Sequence, residues 1–180
     1  EAVKGLRSLT GRKTGSVILS LAVMLLLAIN ALYVIDQFRY VAPFSYLTGA
    51  VTRDEYITQY RPEYPAMQYV NQNLPPESRL LFIFLGKRGY YCDRDYIPDT
   101  HGQVNKLYQL IKNSNSSDEV LVDLKKTGVT HLMIQIGVFN GWVNDLFDVE
   151  KQKFVKEFFT KHVSLLYSEN GVGVFRLIED

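Results

Sequence analysis

Two runs of residues have types and spacing that could do chemistry. The first is Gly86-Lys87-Arg88-Gly89-Tyr90-Tyr91, where two cations sit on a glycine-flexed loop directly after an apolar stretch. A guanidinium offers a planar fork to phosphate or carboxylate oxygens, and an ammonium adds a point charge. Lys87 and Arg88 are therefore candidates for holding a phosphate, such as that of a lipid carrier. Tyr90 and Tyr91 would give flat surfaces to a sugar ring or head group beside them. The spacing is not the GxGxxG dinucleotide fingerprint. Without a ligand, the same loop reads as a solvated turn whose glycines serve backbone geometry.

The second run is acidic: Asp93, Asp95, Asp99 and His101. Carboxylates so grouped could hold a divalent cation through oxygen, or Asp93 and Asp95 could act as a paired acid and base. The spacing fits neither an EF-hand loop nor a zinc motif, and turn-forming aspartates on a surface loop account for it, so no metal ligand is assigned. Cys92 is the only cysteine, which excludes an internal disulfide and a cysteine-based zinc site. Nothing beside it in the sequence would activate a thiol, and no nucleophile elbow occurs. His131 opens an apolar run and is expected to be buried and hydrogen-bonded to backbone. Asn115-Ser116-Ser117 matches a glycosylation sequon. No catalytic residue and no cofactor are assigned.

The elements that must position these residues follow from periodicity. RLLFIFL (Arg79–Leu85) and THLMIQI (Thr130–Ile136) are near-continuous apolar runs, the pattern of strands covered on both faces. The basic loop lies past the carboxyl end of the first, where open α/β sheets bind ligands. Ala66, Met67, Val70 and Leu74 share one face of a helix from about Glu63 to Asn73, after a shorter helix capped by Thr52 and Glu55. A short second strand fits within Tyr90–Asp99. Val104, Leu107, Tyr108 and Ile111 mark another helix, and Ser117 caps the next, which ends at Gly128. A loop carrying Trp142 leads to a helix over 148–162 that buries Val149, Phe154, Val155, Phe158 and Phe159. VSLLYSE and GVGVFRLI pair around Asn170-Gly171, a hairpin signal. The expectation is an α/β fold: a Rossmann-like sandwich with a mostly parallel sheet and a C-terminal antiparallel hairpin.

One further segment is apolar or small at every residue except Ser20 and Asn30. From Val17 to Ile35 no charge occurs, and a helix of that length spans roughly 28 Å, close to a bilayer's hydrocarbon thickness. Lys4, Arg7, Arg12 and Lys13 precede it, which places the N-terminal side in the cytoplasm. A signal peptide has the same order, but its apolar core is shorter and ends in a small-x-small cleavage pattern that is absent here. The expected division is a basic cytoplasmic flank (1–15), a transmembrane helix (16–39) and an extracytoplasmic α/β domain (40–180). A start at Glu1 rather than Met suggests a piece cut from something longer. Of the 20 basic and 19 acidic residues, five and two fall in 1–39, so residues 40–180 are slightly acidic. With no long basic run, nucleic acid is not an expected partner.

The stretches TGAVTRDEYITQYRPEYPAMQYVNQNLP, LLFIFLGKRGYYCDRDYIPD, GVTHLMIQ and LLYSENGVGVFRL resemble the C-terminal extracytoplasmic region of bacterial polytopic glycosyltransferases. These are the C-type, lipid-phosphate-sugar-dependent enzymes similar to protein mannosyltransferases and lipid A aminoarabinose transferases. The resemblance runs from Val17 to the C-terminus. It implies an accessory domain of an inner-membrane glycosyltransferase. The partners it implies are the bilayer, the remaining transmembrane part of the same protein, and a polyprenyl-phosphate sugar or glycan acceptor. The family's catalytic carboxylate lies in its first extracytoplasmic loop, which nothing here matches, so this piece alone is not expected to catalyse transfer. The alternative is a binding or assembly module of a membrane-anchored cell-envelope protein with no enzymatic activity.

Overall fold

A computed structural model of the chain describes residues 2–98 and 106–178, with side chains from residue 15 onward. The chain divides into two compact units, residues 1–53 and 54–180. The first is dominated by helix α1 (Ala2–Val41), followed by α2 (Pro43–Leu47). Within α1, Gly15–Val41 is long and apolar enough to cross a membrane, and none of its most apolar window is buried in the protein. Ala42, in a left-handed conformation (φ 43°), separates the two helices, and Pro43 starts α2 where its missing N–H costs nothing.

Helix α3 (Arg53–Tyr60) leads into the second unit, which holds α4 (Tyr64–Asn73), β1 (Arg79–Ile83), a 3₁₀ turn (Gly89–Tyr91) and β2 (Asp95–Ile97). There follow α5 (Lys106–Asn113), α6 (Ser117–Lys126), β3 (His131–Gln135), α7 (Ile136–Leu146), α8 (Val149–His162), β4 (Val163–Glu169) and β5 (Val172–Leu177). Among the described residues the strands form one sheet in the order β2-β1-β3-β5-β4. Alternate residues feed two cores. Leu81, Ile83, Leu132 and Ile134 face the helices α5 to α8, joined by Leu107, Leu124, Val155 and Phe158. Leu80, Phe82, Met133 and Val174 face α4, whose Ala66, Met67 and Val70 are fully buried. The two apolar runs are thus buried on both sides, as their sequences require.

The sheet is mixed rather than mostly parallel. β1 pairs parallel with both β2 and β3, while β5 pairs antiparallel with both β3 and β4. The expected hairpin is present, with Asn170 and Gly171 at φ 49° and 77°. Its second strand inserts beside β3, however, so half of the pairings are antiparallel and the Rossmann-like character is confined to β2-β1-β3.

Three local expectations are corrected. The loop assigned to Trp142 is helix α7. The Gln135 side chain accepts from the Val138 N–H at its start, and Phe139 packs into the core. Gly137 and Gly141 lower helix propensity there without preventing the helix. The cap of α6 is Ser116, whose hydroxyl accepts from Glu119 N at 3.3 Å; Ser117 instead donates to Glu157. In α8, Val155 and Phe158 are buried and Phe154 and Phe159 partly so, but Val149 in the first turn is exposed. Val104 lies outside the described residues.

Candidate functional site

β1 has β2 on one side and β3 on the other, so the chain leaving it does so at a topological switch point of the sheet. The exit is sharp. Phe84, immediately after β1, has φ 60°, and Gly86 has the same value. A left-handed conformation costs an L-residue roughly 1–2 kcal/mol, and an aromatic accepts it only when packing holds it there. Here the Phe84 ring lies edge-on to Trp142 of α7, with centroids 5.4 Å apart. The backbone turn then releases Gly86, Lys87 and Arg88 outward.

Lys87 and Arg88 are both exposed, and Tyr90 is 88% exposed, so these three share one solvent-facing loop. Among the described residues neither cation is ion-paired. Tyr91 goes the other way. It is half-buried, edge-on to Tyr64 of α4 at 4.9 Å and to Tyr90 at 5.0 Å. It anchors the loop, while Lys87, Arg88 and Tyr90 remain available to a ligand. Gly89 is buried against the Tyr96 ring, which a Cβ there would approach to 2.2 Å, so no larger residue fits.

The loop's rigidity depends on residues the sequence did not single out. Asn71 donates from Nδ2 to the Tyr91 carbonyl and accepts from the Asp93 N–H, each at 2.8 Å. The Arg94 guanidinium donates from Nη2 to the Asn71 and Leu74 carbonyls at 2.8 Å, and from Nε to Leu74 at 3.1 Å. It thereby closes the carboxyl end of α4, whose last turn carries no cation of its own. Nothing local in the sequence signals that Arg94 would reach this helix end.

The acidic run does not converge. Asp93 is exposed, and Asp95 places Oδ2 2.9 Å from Arg79 Nε across the β2–β1 pairing. An Asp95 tied to Arg79 is poorly placed to work as a pair with Asp93. Asp99 and His101 lie outside the described residues. Among the described residues no three His, Cys, Asp or Glu side chains gather as a metal site would require.

His131 is buried, as expected, but its Nδ1 sits 2.7 Å from the Thr130 hydroxyl rather than on backbone. Burial, with the nearby Arg176 charge, lowers its pKa and favours neutral imidazole. Cys92 is half-buried and its thiol pKa is raised chiefly by burial, which disfavours the reactive thiolate. A pocket of about 480 Å³ opens between α7 and α8 on the other side of the sheet from α4. Its walls include Phe139, Val155 and Phe175, and the basic loop takes no part in it.

No protein-family model matches the chain, and no curated protein matches it. Among solved structures it is similar to the C-terminal globular domain of an oligosaccharyltransferase from Archaeoglobus fulgidus. The two are 12% identical with a TM-score of 0.43, over 63% of this chain and 95% of that one.

Proposed function

We propose that this chain is the membrane-anchored, extracytoplasmic part of a glycosyltransferase, in which the α/β unit holds a phosphate-bearing lipid carrier or its sugar without supplying the reacting groups. The observation that carries the reading is the placement of Lys87 and Arg88. Both are exposed on a braced loop at the switch point of the sheet, in a chain whose Gly15–Val41 segment is apolar enough to span a bilayer. The resemblance of residues 48–75 and 80–99 to the corresponding region of C-type glycosyltransferases supports it. The inner membrane is the location that this resemblance implies.

Arg88 contributes a fork to two phosphate oxygens, Lys87 a second charge, and Tyr90 a flat surface for the sugar or the first isoprene unit. The test uses the full chain in nanodiscs, with retention of a polyprenyl phosphate compared with that of the matching polyprenol. The phosphate should be retained preferentially, and Arg88→Ala should weaken that retention roughly ten- to a hundredfold, from the loss of a charge-assisted contact. Equal retention of phosphate and alcohol by the native chain would sink the reading. A second test is the sequence upstream of Glu1: eight or more further apolar spans with a paired-acid motif in the first exported loop would support the transferase reading, and a short cytoplasmic tail beginning with Met would sink it.

A further inference from the structure

A second group of polar side chains gathers away from the basic loop. Gln68, Tyr69 and Gln72 on α4 meet Asp54 and Thr58 of α3 and Tyr167 of β4, lining a groove of about 290 Å³. We propose that this groove binds a saccharide, taking one hexose unit of a neutral glycan. The assignment rests on the groove's own side chains and not on the phosphate reading of Lys87 and Arg88.

The lining selects for hydroxyl groups. Every lining residue except Pro65 carries a side-chain hydrogen-bonding group, so polar atoms are interleaved with the rings of Tyr64, Tyr69 and Tyr167, as the alternating hydroxyl and C–H faces of a sugar require. The lining includes one carboxylate, Asp54, and no Lys or Arg side chain, a composition that disfavours phosphate and carboxylate ligands. Primary amides, hydroxyls and a carboxylate present donors and acceptors side by side, the set a ring of vicinal hydroxyls needs. The volume lies just under the usual ~300–1,000 Å³ of drug-sized pockets and suits a single sugar ring.

The site is also built in advance. Tyr64, 1% exposed, forms its floor and donates its hydroxyl to Asp54 Oδ1 at 2.7 Å, while Gln68 Nε2 donates to the same Tyr64 oxygen. This chain fixes the Asp54 carboxylate and the Gln68 amide before any ligand arrives. The aromatic side is fixed by a β-bulge. An extra residue between Leu165 and Tyr167 brings Tyr167 opposite Val174, onto the face of the sheet covered by α4. There its ring stacks on Tyr69, with centroids 4.7 Å apart and planes 13° from parallel. Its hydroxyl donates to the Glu169 carboxylate, which locks the ring. Bulges re-aim side chains at functional sites, and this one completes an aromatic wall against which the C–H face of a sugar can lie.

The experiment uses the full chain in dodecylphosphocholine micelles, because sugar-headed detergents would compete. Saturation-transfer NMR is run with methyl glycosides of mannose, glucose, galactose and N-acetylglucosamine. At least one should receive transfer, strongest on the protons of one ring face. Gln72→Ala, at an exposed helix position, should weaken that ligand roughly five- to tenfold with an unchanged melt, as loss of a hydrogen bond or two implies. Tyr69→Leu should weaken it by at least as much. Arg88→Ala should leave it unaltered, so that failure of the groove and failure of the phosphate loop are read separately. No transfer to any of the four glycosides would overturn the proposal, and so would transfer that both groove variants leave intact.

Discussion

Phe84 packs edge-on against Trp142, with ring centroids 5.4 Å apart and planes at 65°, while its own backbone is held at φ 60°. The side chain and the main chain are linked energetically. Aromatic packing on α7 stabilises a backbone turn that an L-residue disfavours, and the turn aims the basic loop outward.

The link predicts an inverted glycine–alanine order. Phe84→Ala and Phe84→Gly both lose the ring contact, but only glycine takes φ 60° without strain. The glycine variant should therefore be the more stable, by about 1 kcal/mol, in urea denaturation. At an ordinary strand end, alanine would be the more stable. An alanine variant as stable as the glycine one, or more so, would mean that the turn relaxes once the ring is gone.

Arg94 predicts a different kind of loss. It satisfies the Asn71 and Leu74 carbonyls with three hydrogen bonds from one planar group. Hydrogen bonds to a charged group contribute about 1.5–3 kcal/mol, so Arg94→Ala should lower stability by about 2 kcal/mol or more. Arg94→Lys keeps the charge at the end of α4 but not the fork, and should recover less than half of that. Denaturation midpoints measure both variants. Full recovery by lysine would reduce the role of Arg94 to helix electrostatics.

The same residues show what could be read from the sequence. Arg79–Ile83 and His131–Gln135 announce themselves because burial on both faces leaves an unbroken apolar run, and Asn170-Gly171 announces its turn through positive φ. Local chemistry suffices for such elements. Nothing local reports that β5 inserts beside β3, since the pairing partners of Val172 to Arg176 lie about forty residues away. Asn71 and Arg94 are likewise joined only by folding, so the exposed cations of the loop were visible in sequence and the groups that brace it were not. Helix α7 was hidden by Gly137 and Gly141, whose low propensity is overridden by the packing of Phe139.

Acid should weaken the domain in two stages. His131 has its folded-state pKa lowered below 6.5 by burial and Arg176. Between that lowered value and 6.5 the unfolded chain binds a proton that the folded one refuses, so stability falls as pH drops below 6.5. Asp118 lies 2.8 Å from Lys161 Nζ and from His162 Nε2, and the Lys161 hydrogen bond is the main cause of its lowered pKa. Its contribution, present above 3.8, is lost only as pH falls through the lower folded value. Melting temperatures from pH 7 to 3 should therefore decline first below 6.5 and again below 4. His131→Gln should flatten the first decline and leave the second. A first decline that persists in this variant would assign it to another group.

The last prediction concerns the direction in which the chain crosses the bilayer. Lys4, Arg7, Arg12 and Lys13 precede the apolar part of α1, whereas Arg39 is the single cation near its other end. Lys and Arg close to a spanning segment are retained on the cytoplasmic side, and acidic residues contribute little to that choice. A reporter active only outside the cytoplasm, fused after residue 178, should thus be active. Changing all four leading cations to Gln leaves Arg39 as the nearest remaining positive charge, and the bias then reverses. That variant should lose most of the external reporter signal and gain signal from a reporter active only inside. The phosphate and saccharide readings both require the α/β unit to meet its ligands outside the cytoplasm. An inactive external reporter on the native chain would therefore remove the setting for both, whatever the isolated loop or groove could bind.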